Sequence, residues 1–137
     1  MTADPVQAEV RETAHRLVAA FGSHDTEAYF GFFSPDATFV FHNHPEILAG
    51  RGQYEAVWRT WEETGFRVLG CRSLDSTVRM LDDATAIFTH RVRTELDGEP
   101  EPLRERETIV FQRTADGWLA VYEHLSPEPD DSGEGLP

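Results

Sequence analysis

Apolar and polar positions alternate with two different periods along the chain, and the change of period divides it in half. Near the N-terminus Val6, Val10, Ala14, Leu17, Val18 and Phe21 recur at intervals of three and four, the spacing of one buried helical face. Asp4-Pro5 supplies an N-cap with proline in the first turn, and Gly22 supplies a stop. A shorter helix is expected from about Asp25, with Tyr29, Phe32 and Phe33 on its apolar side. Ser34-Pro35-Asp36 should break it, and ATFVFHN then reads as a strand. Beyond a loop closed by Gly50 and Gly52, Tyr54, Val57, Trp58 and Trp61 mark one face of a third helix.

The second half is written with strand period. VLGCRSLDSTVRML, ATAIFTHRVRTEL, LRERETIVFQR and WLAVYEHLS are long β-rich runs, separated by Asp82-Asp83, by DGEPEP and by Asp116-Gly117. Each spacer has turn chemistry, so the simplest topology is a meander of antiparallel hairpins. Helices first and a meander afterwards indicate an α+β fold with the helices on one face of the sheet.

Length and charge narrow the picture. A chain of 137 residues suits one domain, expected over residues 1–126. The last 11 residues, PEPDDSGEGLP, carry four acids, three prolines and no aromatic, and read as a disordered acidic tail over 127–137. The formal net charge is −13, which argues against nucleic acid or an anionic membrane surface as a partner. No apolar run is long enough to span a membrane, and no secretory signal precedes the first helix, so the expected compartment is the cytoplasm. A lone Cys71 reads as a small buried hydrophobe.

The C-terminal run ETIVFQRTADGWLAVYEHLS resembles the signature end of the SnoaL-like branch of the nuclear transport factor 2-like superfamily, a strand, a Gly-Trp turn and a last strand ending His-x-Ser. The order of the upstream helices and of SPDATFVF agrees with it over roughly residues 6–126. Within that superfamily the pattern is similar to the association domain of calcium/calmodulin-dependent kinase II. The resemblance implies a cone-shaped roll: three N-terminal helices packed on a strongly curved, mainly antiparallel sheet that encloses a pocket. It also implies a homodimer through the outer face of the sheet. It places Arg91 in the pocket and Tyr54 where that domain has a pocket histidine. Ile109 and Leu125 stand where it has two further arginines, a departure at two of three cationic positions.

If Arg91 points inward, alternation turns Ile87, Thr89 and Arg93 inward with it, and matches them with Glu105, Glu107, Ile109 and Phe111 on the next strand. The last strand would contribute Leu119, Val121, Glu123 and Leu125, leaving His90, Trp118, Tyr122 and His124 outside. Arg91 could then orient an anionic or carbonyl-bearing ligand, or form an ordinary cross-strand pair with Glu107 or Glu123. Catalytic residues are not identified; Glu123 and His124 are the candidates, Glu123 because desolvation would raise its pKa and make it a base. The expected ligand site comprises Tyr29, Tyr54, Trp58, Arg91, Ile109 and Glu123. No cofactor is expected, and no metal, because the His42-x-His44 pair alone is too few ligands. Asp36 is read as a turn residue rather than a buried acid. Two functions fit: a small-molecule-binding domain with a hydrophobic cavity, or a cofactor-independent isomerase, cyclase or dehydratase acting on a polyketide- or steroid-like substrate.

Overall fold

The computed structural model describes residues 4–129. Helix α1 spans Pro5–Gly22, capped by the Asp4 carboxylate, which accepts the Val6 N–H at 2.9 Å. Helix α2 spans Thr26–Phe30, capped by Asp25 on the Ala28 N–H, and α3 spans Arg51–Glu63. The expected Asp4 cap is therefore in place, and Asp25, the expected start of the second helix, caps it as well. Helix α2 ends earlier than its aromatic spacing suggested, because Phe33 already opens strand β1 (Phe33–Phe41). The Ser34-Pro35-Asp36 break lies inside that strand as a register shift between Phe33 and Thr38, and Asp36 accepts the Ser34 hydroxyl at 3.0 Å rather than backbone amides.

The two-residue β2 (Leu48–Ala49) precedes α3, and the meander follows as β3 (Val68–Asp82), β4 (Thr85–Leu96), β5 (Leu103–Thr114) and β6 (Gly117–Pro127). All six strands form one curved, open sheet in the order β2-β1-β6-β5-β4-β3. The four meander strands are antiparallel, and β1 joins them by pairing parallel with β6. Helix and sheet form one apolar core that runs from Val10, Ala14 and Leu17 of α1 through Tyr29, Phe30, Tyr54 and Trp58 to Phe39, Phe88, Ile109 and Phe111.

Two joints hold the helices against the sheet. A Cβ on Gly22 would stand 3.0 Å from the Cys71 backbone nitrogen, so glycine is what lets α1 approach β3. In the turn after α1, Val68 N–H donates to His24 Nδ1 at 2.9 Å. The proton therefore sits on Nε2, which donates to Glu62 of α3 at 2.7 Å. His24 thus ties α3 to β3 and is accounted for structurally.

Of the expected acidic tail, residues 130–137 lie outside the described residues. Pro127 pairs with Glu105 as the end of β6, and the Glu128 N–H donates to the Arg104 carbonyl at 3.0 Å. The ordered fold thus runs past residue 126. Among the described residues no helix is long and apolar enough to cross a membrane.

Candidate functional site

Which face of each strand looks inward follows from the registers. On β4 the buried residues are Ala86, Phe88, His90, Val92 and Thr94, and on β5 they are Glu105, Glu107, Ile109 and Phe111. His90 lies opposite Glu107, and Ile109 opposite Glu123. The expected β5 face is therefore the inner one, while the expected β4 face is the outer one. Arg91 points away from the cavity: it binds Asp75 at 2.6 Å and the Glu128 carboxylate. Arg93 meets the same Glu128 at 2.8 Å, and Arg104 meets it at 3.6 Å. The pairing of Arg91 with Glu107 or Glu123 is thus replaced by an arginine cluster around Glu128 on the outer face. Desolvation works to raise the Glu128 pKa, but the hydrogen bond from Arg91 and the charges of Arg91, Arg93 and Arg104 leave it lowered.

On β6 the expected inner set is half right. Val110 faces Tyr122 and Phe111 faces Ala120, so Val121 falls at a bulge. The bulge turns Trp118 and Ala120 inward on one side of it and Glu123 and Leu125 inward on the other. Tyr122 and His124 face out as expected.

Between helices and sheet lies a cleft with a wide mouth of about 370 Å³ and a narrow floor of about 50 Å³. Phe21, Phe41, Tyr54, Thr94, Glu105 and Leu125 line both parts and join them. Trp61, Phe66, Asn43, Thr64, Arg67, Asp97 and Glu99 complete the mouth, and Tyr29, Cys71, Glu107 and Glu123 the floor. Of the expected site residues, Tyr29, Tyr54 and Glu123 come together there. Trp58 is core: its indole N–H donates to Thr26 Oγ1 at 3.1 Å and its ring packs among Phe21, Tyr29, Phe30 and Phe66. Ile109 is fully buried under the floor without lining it.

The floor holds three carboxyl groups at 2–9% exposure, a concentration of acid that needs partners to persist away from water. Glu105 meets His42 Nε2 at 2.5 Å, and Glu107 meets His90 Nε2 at 2.7 Å. The other ring nitrogen of His90 lies 2.6 Å from the Ser73 hydroxyl. His90 thus bridges the Glu107 carboxyl on one side and the Ser73 hydroxyl on the other. Glu123 has no histidine. It shares hydrogen bonds with Glu107 and with the Tyr29 hydroxyl, and its Oε1 has no partner.

That asymmetry sets the charges. Burial pushes the Glu123 pKa well up, and the negative charge of Glu107 and their shared hydrogen bond push it further. Burial also acts to raise Glu107, but the hydrogen bonds from Glu123 and His90 outweigh it and leave Glu107 below the usual range. The pKa values of the two carboxyls are therefore pushed apart as a coupled pair, Glu123 upward and Glu107 downward. Glu105 is raised by burial, with His42 pulling the other way. Above the floor the Tyr29 and Tyr54 hydroxyls bond each other at 2.9 Å, and burial first, then the Glu123 charge, raises both phenols.

His90 and His42 are partners of the floor carboxyls that the sequence reading placed outside or gave no such role. The signal for them was the phase of Glu105 and Glu107, which alternate in step with Ile109 and Phe111 and so had to face inward, where acids need donors. His42, His90 and His124 do not converge, and among the described residues no group of three or more metal-ligating side chains is arranged to hold an ion.

A family model described as a SnoaL-like domain matches residues 10–130. No curated protein matches the chain. Solved structures do, all at low identity. An NTF2-like protein from Pseudomonas putida aligns with a TM-score of 0.76 at 17% identity, over 96% of this chain and 93% of that one. A ketosteroid isomerase-like protein from Erwinia carotovora atroseptica gives 0.77 at 17%, over 93% and 100%. ActVI-ORFA from Streptomyces coelicolor gives 0.71 at 17%, over 91% and 98%. At such identities the likeness is one of fold.

Proposed function

This chain belongs to the SnoaL-like domain family, and from that premise we propose that it binds a small, largely apolar molecule in the cleft between its helices and its sheet. The observation that carries the reading is the cleft itself: aromatic walls around a floor with a few convergent polar groups, the composition of small-molecule sites. Phe21, Phe41, Trp61 and Phe66 would hold an apolar frame, and Tyr54 and Glu123 would fix its polar end. Arg91 has no part in this site. Titration with a compact aromatic alcohol such as 2-phenylethanol, followed through Trp61 fluorescence, tests the reading. Saturable quenching that Thr64→Trp abolishes by filling the mouth supports it; no saturation in the wild type defeats it.

The opposed pKa shifts of Glu107 and Glu123 favour a second reading, acid–base catalysis on a carbonyl compound. Two adjacent carboxyls shifted in opposite directions can remove a proton at one carbon and return it elsewhere. Some ketosteroid isomerase-like and cyclase-like reactions need only that, with no cofactor. Deuterium exchange at the carbon beside a ketone, run in D2O, checks it: exchange that falls at least a hundredfold in Glu123→Gln supports catalysis, and exchange unchanged by the substitution excludes Glu123.

We further propose that two copies pair through the outer sheet face, where Tyr122 and His124 are exposed. Light scattering at twice the 15.5 kDa chain mass is the expected result. A monomer at micromolar concentration overturns it.

A further inference from the structure

The ligand's polar end can be specified from the hydrogen bonds left open at the floor. Three carboxyls meet there, and two are already served: Glu105 by His42 and Glu107 by His90. The third, Glu123, is 2% exposed, lines the floor, and keeps Oε1 without a donor. A buried carboxyl oxygen in that condition stays uncompensated until something donates to it. The open oxygen is a buried acceptor, and a bare carbonyl or a carboxylate would meet it lone pair to lone pair. The missing partner is a donor.

The surroundings decide which kind of donor. Asp97 and Glu99 add two acids at the mouth, and among the described residues lining the cleft the one arginine is Arg67. Phe21, Phe41, Trp61 and Phe66 offer ring faces and edges around the mouth, and a cation gains from aromatic walls what an anion loses. The floor, about 50 Å³, has room for a group little larger than one water. A primary ammonium has that size and carries three donors.

We propose that the cleft is a site for a small primary amine on an apolar, aromatic-sized frame, bound as its ammonium ion with the nitrogen against Glu123 and the frame between the aromatic walls. The inference rests on the cleft being a small-molecule site. Any proton that Glu123 carries passes to solvent as the ammonium enters, and an ammonium–carboxylate pair takes its place. The groups facing Glu123 during that exchange are Tyr29 from α2, Tyr54 from α3, Cys71 from β3, His90 from β4, and Glu105 and Glu107 from β5, with His42 of β1 behind Glu105. No arginine is among them, and the two histidines are paired with Glu105 and Glu107 rather than with Glu123.

Calorimetric titration of the whole chain with 2-phenylethylamine, 2-phenylethanol and phenylacetate separates the cases. The amine should bind at least tenfold tighter than the alcohol, and phenylacetate should show no saturable binding. In Glu123→Gln, which keeps the shape and removes the charge, amine and alcohol should come within about threefold of each other, since a charge-assisted hydrogen bond is worth about tenfold or more over a neutral one. A wild-type carboxyl 13C spectrum needs no variant: the Glu123 signal should move to its ionised position on adding the amine and stay in place with the alcohol. Alcohol binding as tight as amine binding, or a Glu123 signal that does not move, overturns the amine assignment while leaving the cleft a ligand site. Failure of all three compounds to bind overturns both.

Discussion

The Tyr29 and Tyr54 hydroxyls lie 2.9 Å apart, one from α2 and one from α3, directly above the floor that Glu123 lines. Both rings are almost wholly buried; the Tyr54 hydroxyl relies on Tyr29, while Tyr29 also hydrogen-bonds the Glu123 carboxyl. Removing the Tyr29 hydroxyl strands that of Tyr54. Tyr29→Phe and Tyr54→Phe should each cost about 1–3 kcal/mol in chemical denaturation. The double variant should cost clearly less than the sum of the two, because neither hydroxyl is then left alone. Strictly additive costs would mean that the bond does not form.

Glu123 makes stability depend on pH in an unusual direction. Its folded pKa is raised, so folding takes up a proton that an unfolded glutamate would release. The contribution is fully present below the ordinary glutamate pKa and is lost as the pH rises through the folded value. Glu107 and Glu128, both lowered, act the opposite way, and their contributions fade as the pH falls. Melting temperature followed from pH 4 upward should therefore decline more steeply in the wild type than in Glu123→Gln. Parallel curves would show that Glu123 titrates as it does in the unfolded chain.

Gly22→Ala tests the close approach of α1 to β3. Alanine is the better helix former by about 1 kcal/mol, so an open site would be stabilised. Here the added methyl meets backbone, the Cys71 nitrogen at 3.0 Å, which cannot rotate away. The substitution should destabilise the fold by about 1–2 kcal/mol. A gain in denaturation midpoint would show that the two elements can separate at little cost.

Cys71 should be nearly inert in the folded protein. Burial pushes its pKa up to about 12, with the Thr94 hydroxyl 3.7 Å away pulling slightly in the other direction. Only the thiolate reacts, so labelling with a disulfide reagent at pH 8 should run roughly a hundredfold or more slower than in denaturant. Equal rates would place the thiol in water.

The helices and the meander were legible because each announces itself locally. Asp4-Pro5, Asp25 and the turn residues between strands act within a few positions, and the structure uses them as written. The family likeness was legible in the last strand pair, where Gly117-Trp118 and His124-Leu125-Ser126 stand in register with β5. What went astray was the face of β4. Arg91 was turned inward by analogy, against a local pattern in which Phe88 and Val92 share one parity and Arg91 and Arg93 the other. Ile87 is the one strong hydrophobe on that face; Arg91 and Arg93 mark its far end as the outer side, and the ion pairs to Asp75 and Glu128 complete it. The bulge at Val121 had no such signal. Val121 and Leu119 are apolar on the same parity, and only pairing with β5 across the Val110–Phe111 irregularity shows that the phase changes there. The floor of the site was half legible for the same reason: Glu105 and Glu107 sit on a strand with one phase, and Glu123 on a strand with two.

The parallel pairing of β1 with β6 also governs the order in which the protein can be made. Phe39 takes Glu123 as its neighbour, so the strand that follows the first two helices waits for nearly the whole described chain before its long edge is covered. At the pace of a ribosome that wait is on the order of ten seconds. During it Phe39 and Phe41 belong to a segment whose main partner has not yet been translated. Both the cleft and its acidic floor need β6, so a nascent chain acquires the site last and all at once. A truncated chain would be deprived of the site altogether, with its most aromatic strand left open to other chains.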